Sequence, residues 1–192
     1  MTLPLHTLES APEASQPILE GSKKSLGFVP NLYAVMAESP ELLKAYGALS
    51  ELFQASSFSV EEQTVVWQTF NVEHACHYCV PAHTAIAHMQ KVDPAVTEAL
   101  RNRSPLPNAR LETLRDTALE LVRNRGHVSA AQQTAFADAG FTPRQLLELV
   151  LGLSQKTISN YVNHLADTPV DPAFAKFTWE TKDAAEPVQA QL

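Results

Sequence analysis

Cysteine is scarce in this chain, two in 192 residues, and so few exclude a disulfide-stapled scaffold. Positive charge is also short. Fourteen Lys and Arg face 21 Asp and Glu, and a formal charge of -7 argues against nucleic acid or an anionic membrane as a partner. No apolar run approaches the ~18 residues that a membrane span requires. The chain opens without a basic stretch leading into an apolar one, so no secretory leader is expected and a cytoplasmic protein is. Sustained apolar–polar alternation is missing, as are Asn-Gly and Asp-Gly turns, which leaves little room for a sheet. Charged residues make up 18%, below the ~25% of an average domain, a hint of extra buried surface between subunits. With 45% hydrophobic residues the chain still has ample material for a core, and disorder throughout is excluded.

What is present is helix punctuation. Ser39-Pro40, Asp93-Pro94 and Thr142-Pro143 each pair a capping residue with proline at the first helical position. Ser59 with Glu62, Ser129 with Gln132 and Thr142 with Gln145 have capping-box spacing. Gly27, Gly126 and Gly140 stand where helices should stop. Apolar residues recur at helical spacing, as in Leu42, Leu43, Tyr46, Leu49 and Phe53, and again in Leu111, Leu114, Ala118, Leu121 and Val122. Leu146, Leu149, Val150, Leu153, Ile158 and Val162 mark the face of a long late helix. The spacing predicts an all-α chain with helices near 15–26, 31–38, 40–56, 60–74, 76–90, 94–102, 109–125, 130–139 and 143–166. Val65-Val66-Trp67 lies inside one of these and reads as buried helix. Residues 15–179 form one domain, and 1–14 and 180–192, rich in Pro, Ala, Glu and Gln, read as mobile tails.

Both cysteines fall in one short segment, Cys76-His77-Tyr78-Cys79-Val80-Pro81-Ala82-His83. On a helix starting near Cys76, the pair Cys76 and Cys79 (i, i+3) and the pair Cys79 and His83 (i, i+4) share one face. Pro81 is tolerated only in a first turn, so the helix must begin close by. A thiol there faces unpaired backbone N–H groups at the positive end of the helix dipole, which favours the thiolate. His83 is placed to relay a proton, and Glu73, His74 and His77 add titratable groups. Chance proximity of two buried thiols is one reading. A zinc site with Cys76, Cys79, His83 and one of His74 or His77 is another, although structural zinc usually draws a second ligand pair from elsewhere and no other cysteine exists. A c-type haem site requires His directly after the second cysteine, where Val80 stands. The favoured reading is a redox-active dithiol in which one sulfur attacks and the other closes a disulfide. It sits on helices and not in the βαβ setting of thioredoxins.

The segment from Cys76 to His83 resembles the Cys-x-x-Cys-x-x-x-His core of the AhpD-like alkylhydroperoxidases, in the carboxymuconolactone decarboxylase superfamily. Gly27-Phe28-Val29-Pro30-Asn31-Leu32, Ser39-Pro40-Glu41-Leu42-Leu43 and the late helix through Asn160, Tyr161 and Asn163 to Asp167 resemble its longer, peroxidase-related branch. The resemblance implies an all-α, AhpD-like bundle that oligomerises through helical faces and reduces a hydroperoxide, and the residues present call for no metal, flavin or haem. It further implies an external dithiol or thioredoxin-like partner as reductant. It assigns Cys79 as the attacking residue, Cys76 as the resolving one and His83 to the proton relay. The dipole argument taken alone favours the opposite order, with Cys76 as nucleophile, whereas the closeness of His83 supports Cys79.

The chain departs from the family pattern at its relay. A glutamate usually stands twelve positions before the first cysteine, and Thr64 stands there instead. Glu73, nearest to the thiols in sequence, is the expected substitute, with Glu61 as the other candidate. Tyr78 occupies the position beside the second cysteine that is often histidine, and His77 the other intervening one. A non-catalytic redox sensor and a superfamily decarboxylase or lyase are the alternative functions. Trp67, Phe70 and His74 form a helical stripe expected to be core more than substrate wall, and Phe28, Tyr33 and Tyr46 are expected to pack. Residues Leu153 to Val162 imitate the recognition helix of a DNA-binding motif. Only Lys156 is basic there and one apolar period runs straight through, so a core or subunit-contact helix is expected.

Overall fold

The computed structural model describes residues 2–180. Among the described residues there are α-helices and one 3₁₀ helix and no strands. The α-helices are α1 (Gln16–Leu26), α2 (Asn31–Met36), α3 (Pro40–Gln54), α4 (Val60–Glu73), α5 (Cys79–Met89), α6 (Pro94–Asn102), α7 (Ala109–Arg123), α8 (Ala130–Asp138) and α9 (Pro143–Ala166). The 3₁₀ helix, Pro172–Phe177, follows α9 and has no counterpart in the sequence reading. No described helix is long and apolar enough to cross a membrane.

The capping residues act as their chemistry dictates. Side chains of Ser39, Ser59, Asp93, Asn108, Ser129 and Thr142 accept from backbone N–H groups of the helices they precede. Ser59–Glu62 and Thr142–Gln145 complete reciprocal capping boxes. The centre is α4, whose residues from Glu62 to Val72 are all buried, and a helix without a wet face must be wrapped by others. It packs on α5, α6, α7 and α9, while α3 and α2 pack on α9 and α8 packs on α7. Gly152 makes the α9 crossing possible. A Cβ there would stand 2.7 Å from the Phe53 ring and 3.0 Å from Val66 Cγ1, so any side chain would push the helices apart.

The apolar interior has two parts. A large cluster joins Phe53, Val65, Val66, Phe70, Leu114, Phe136 and Leu149. A smaller one surrounds the cysteines with Leu19, Leu32, Met36, Leu43 and Tyr46. The first residues do not trail away as a tail. Ala11 is buried in the smaller cluster, His6 N–H donates to Ala34 O, and the His6 ring lies 2.6 Å from a Glu38 carboxylate oxygen. Of the expected C-terminal tail, residues 181–192 lie outside the described residues.

The segment after α9 folds back as a strap across α5. Backbone N–H of Asn31 and the Tyr78 hydroxyl donate to the buried Asp171 carboxylate, the latter at 2.5 Å. Arg101 donates to the main-chain oxygens of Phe177 and Thr178, and Trp179 Nε1–H to Arg101 O.

Candidate active site

The break between α4 and α5 places the two sulfurs. The helix α4 ends in a Schellman motif: Cys76 N–H donates to Asn71 O and Ala75 N–H to Val72 O. Ala75 takes the left-handed conformation at φ 51° that this motif requires, a strained choice for a residue with a Cβ. Cys76 therefore lies in the turn, and α5 begins at Cys79, three residues later than the sequence reading placed it. The correction matters chemically. Cys79, not Cys76, is the first helical residue, and its N–H donates to Cys76 Sγ at 3.3 Å. The helix-dipole argument therefore applies to Cys79 and no longer to Cys76.

Both cysteines are free and buried. Burial pushes the Cys79 thiol up. The Cys76 thiol that hydrogen-bonds it, the nearby Lys156 ammonium and the side chains of Ser159 and Asn160 pull it down further, and the net shift is well below the ordinary value. Asn163 Nδ2 also points at Cys79 Sγ from 3.2 Å. Cys76 moves the opposite way, raised by its hydrogen bond to Cys79, by burial and by the neighbouring negative charge. The two shifts run in opposite directions and favour the proton on Cys76 and the negative charge on Cys79.

His83 is fully within the site but is not bonded to sulfur. Its Nε2 lies 2.8 Å from Lys156 Nζ, and both side chains are buried. Burial first, and the Lys156 charge second, hold the imidazole far below its usual value. A neutral ring accepts at Nε2 from the ammonium. Lys156 is itself lowered by burial, opposed by attraction to the two sulfurs. The Trp67 ring packs against His83 with centroids 5.0 Å apart, and its Nε1–H donates to Gln155 Oε1.

A polar seam locks these groups in place. His74 Nδ1 bonds Asn160 Oδ1, Asn160 Nδ2 donates to Asn71 Oδ1, and Asn71 Nδ2 donates to Gln68 Oε1. Gln68 Nε2 donates to Val80 O and Thr84 Oγ1. Three helices, α4, α5 and α9, are tied by buried amides whose partners are all satisfied.

Glu73 is elsewhere. Its carboxylate makes a paired contact with Arg123 of α7 at 2.7 and 2.8 Å, facing a small recess with Arg103 and Arg115 and not the dithiol cavity. The helical period explains this: on α4, residue 73 points away from the face that carries Trp67 and Gln68 toward α5 and α9. Thr64, at the family's carboxylate position, is buried and donates to Val60 O within its own helix. Glu61 begins the same helix, in its first turn, and has no contact with the thiols. A basic group, Lys156, stands beside His83 where the sequence reading had sought an acid. The only signal for it was a lysine in an otherwise uncharged stretch of a buried helix.

The metal reading finds its nitrogens engaged otherwise. His74 is bonded to Asn160, His77 Nε2–H donates to Thr168 O, and His83 faces an ammonium. Among the described residues no three His, Cys, Asp or Glu side chains converge as ligands.

Cys79, His83 and Lys156 form the floor of a cavity of about 460 Å³. Trp67 and Tyr46 line it near the floor, and Phe28, Tyr33, Met89 and Phe174 line its walls, with the strap from Ala173 to Phe177 along one side. Phe28, Tyr33, Tyr46 and Trp67 are thus cavity wall as well as packing, while Phe70 is core alone. Burial, Tyr33 and the Cys79 charge push the Tyr46 phenol up, so it stays protonated beside the thiolate. Tyr161 turns outward, half exposed, and its neighbours Asn160 and Asn163 turn inward. The stretch Leu153 to Val162 is part of the single helix α9, as its period required.

Comparison with solved structures agrees with this architecture. The chain is 21% identical to an uncharacterized peroxidase-related protein with an alkylhydroperoxidase AhpD core from Ralstonia eutropha JMP134, over 89% of this chain and 92% of the other, with a TM-score of 0.79. An uncharacterized peroxidase-related protein from Silicibacter sp. TM1040 is 23% identical over 91% and 92%, at 0.76. The debrominase Bmp8, in complex with 2,3,4-tribromopyrrole, is 18% identical over 92% and 94%, at 0.74. No family model and no curated protein sequence matches the chain. A buried dithiol on an all-helical frame defines the class, and the particular fold is AhpD-like, as the Cys76–His83 segment led one to expect.

Proposed function

We propose that this protein is a dithiol peroxidase. The observation that carries the reading is the geometry of the pair: Cys79 opens α5 with its N–H on Cys76 Sγ and lines a cavity beside the buried Lys156, an arrangement that lowers the Cys79 thiol and raises Cys76. The Cys79 thiolate attacks the terminal, carbon-distal oxygen of a hydroperoxide, the O–O bond breaks, and the leaving alkoxide takes a proton from Lys156, giving alcohol and a Cys79 sulfenic acid. The Lys156 amine left behind regains its proton from water in the cavity, and His83, which accepts from it at Nε2, holds it toward the reacting oxygen. Cys76 then displaces the sulfenic oxygen as water and closes the disulfide. An external dithiol or a thioredoxin-like protein returns two electrons and two protons to restore both thiols.

The test is steady-state peroxide consumption with a dithiol donor, alongside thiol titration and mass measurement after one equivalent of hydroperoxide. Turnover that vanishes in Cys79→Ser, and a disulfide mass absent from Cys76→Ser, are expected. Unchanged turnover in Cys79→Ser would falsify the assignment. Consumption that halts after one equivalent makes the protein a sensor, and activity that survives blocking of both thiols makes it a lyase.

The likeness to a debrominase, together with the aromatic walls, favours one second reading. The same pair would remove bromine from an aromatic ring, R–Br plus two thiols giving R–H, bromide, a proton and the disulfide. Bromide release from a brominated aromatic separates the two chemistries. Self-association belongs to the proposal as well: Leu147, Val150, Tyr161 and Leu165 form an exposed apolar stripe on α9. Sedimentation is expected to show an oligomer that Leu165→Asp weakens.

A further inference from the structure

We propose that the cavity above Cys79 takes a bulky apolar organic hydroperoxide that carries an anionic group, with the peroxide at Cys79 and the anion at Lys176 on the strap. The inference rests on the dithiol reading for its reacting group and adds the class of molecule that reaches it.

Size is the first argument. A molecule like water occupies about 30 Å³ in the liquid, so hydrogen peroxide would leave most of the 460 Å³ to solvent. Cavities of this volume hold organic ligands whose apolar surface they bury. The walls are Phe28, Tyr33, Trp67, Ile86, Met89 and Phe174, which offer contact area and few hydrogen bonds. An apolar chain or ring gains there what it loses in water.

Charge is the second. The chain carries 21 acidic residues and an excess of seven negative charges, yet among the described residues no Asp or Glu lines this cavity. Two lysines do. Lys156 lies on the floor, neutralised by the Cys79 thiolate that it faces. Lys176 is exposed on the strap, its Nζ 4.7 Å from the Phe177 ring centroid. It belongs to the same lining, and among the described residues no carboxylate pairs with it; an anionic substituent at the mouth would do so. A ligand of the proposed class spans the two: its apolar body lies against the aromatic walls and its charge remains near water.

The test compares hydrogen peroxide, the hydroperoxide of linoleic acid and the methyl ester of that hydroperoxide, all below micellar concentration and with a dithiol donor. The acid is expected to exceed hydrogen peroxide in kcat/KM by about 100-fold or more, because several buried CH₂ groups contribute. It is expected to exceed the ester by about two- to five-fold, the effect of an exposed ion pair, and Lys176→Gln is expected to erase that preference. Hydrogen peroxide reduced as efficiently as the acid, or an acid no better than its ester, overturns the proposal. A second measurement needs no turnover: calorimetric titration of the Cys79→Ser protein with the corresponding hydroxy fatty acid and its ester. Tighter binding of the acid, weakened by Lys176→Gln, upholds the substrate class even if no peroxide is consumed, in which case only the peroxidase reading fails. No binding of either compound overturns the substrate class.

Discussion

The two halves of α9 are built on opposite rules. From Pro143 to Gly152 the helix turns Leu149 and Gly152 into an apolar core against Phe53 and Val66. From Gln155 onward its buried face is Gln155, Lys156, Ser159, Asn160 and Asn163, entirely polar, while Tyr161 and Leu165 look outward. The first half stabilises by removing apolar surface from water. The second buries groups that cost free energy unless each has a partner, and it finds most of those partners in the sulfurs, His83, Trp67 and the amides of α4, with Asn163 Oδ1 left without one among the described residues. One helix thus joins a scaffold to a reaction site, and the two functions separate at Gly152.

That separation is testable by substitution. Lys156→Met is expected to lower peroxide turnover by about 10²–10⁴-fold, the range of a lost proton donor, with some loss of melting temperature as well, because the Cys79 sulfur and His83 Nε2 lose their buried partner. Loss of stability without loss of rate would contradict the division. Leu149→Ala should act on stability alone. A fully buried leucine cut to alanine costs about 2–5 kcal/mol, read in urea unfolding, with the rate per folded molecule retained. Gly152→Ala sits at the boundary, where its methyl meets Phe53 and Val66. Overpacking of this kind costs about 1–3 kcal/mol, and, as Lys156 lies one turn on, alkylation of Cys79 should slow as well.

The charge of the polar half appears in pH dependence. A lowered Cys79 value means that the thiolate persists as pH falls below 9.0, the ordinary thiol value. Alkylation by iodoacetamide should therefore hold steady into the neutral range and decline only on further acidification, and Lys156→Met should shift that decline upward. The stability linked to this ionisation has the same sign. It is fully present above the unfolded thiol value and lost as pH falls through the lowered folded one. The smallest effect belongs to Glu73→Gln. Its pair with a half-exposed Arg123 is worth about 0.2–1 kcal/mol, and Cys79 reactivity is expected to stay as it was.

The scaffold was legible in the sequence because its signals are local. Ser59 with Glu62 and Thr142 with Gln145 act within three residues, and the expected helices match those observed to within a residue or two at most ends. The exception is α5, whose start depended on Ala75 adopting a left-handed conformation that alanine seldom takes. The dithiol was legible as well, through a spacing of three and four residues. What sequence could not provide was the partner from afar. Lys156 meets His83 across 73 positions and Asn163 meets Cys79 across 84, and no periodicity connects them. The apolar pattern of α9 actively misled, since Val150, counted on its inward face, is exposed and the inward face of the second half is polar. Glu73 was favoured by nearness along the chain, which on a helix says nothing about direction.

The strap beside the cavity is gripped by Arg101 and Trp179 through main-chain oxygens, those of Phe177, Thr178 and Arg101 itself. Every residue owns such an oxygen, so the grip is indifferent to which side chains occupy positions 173 to 178. An exposed rim residue such as Lys176 can therefore be exchanged without loosening the strap, whereas Phe174, packed on Phe28 and Tyr78, is part of what holds it. The doorway can thereby change character while the placement of the two sulfurs beneath it stays as it is.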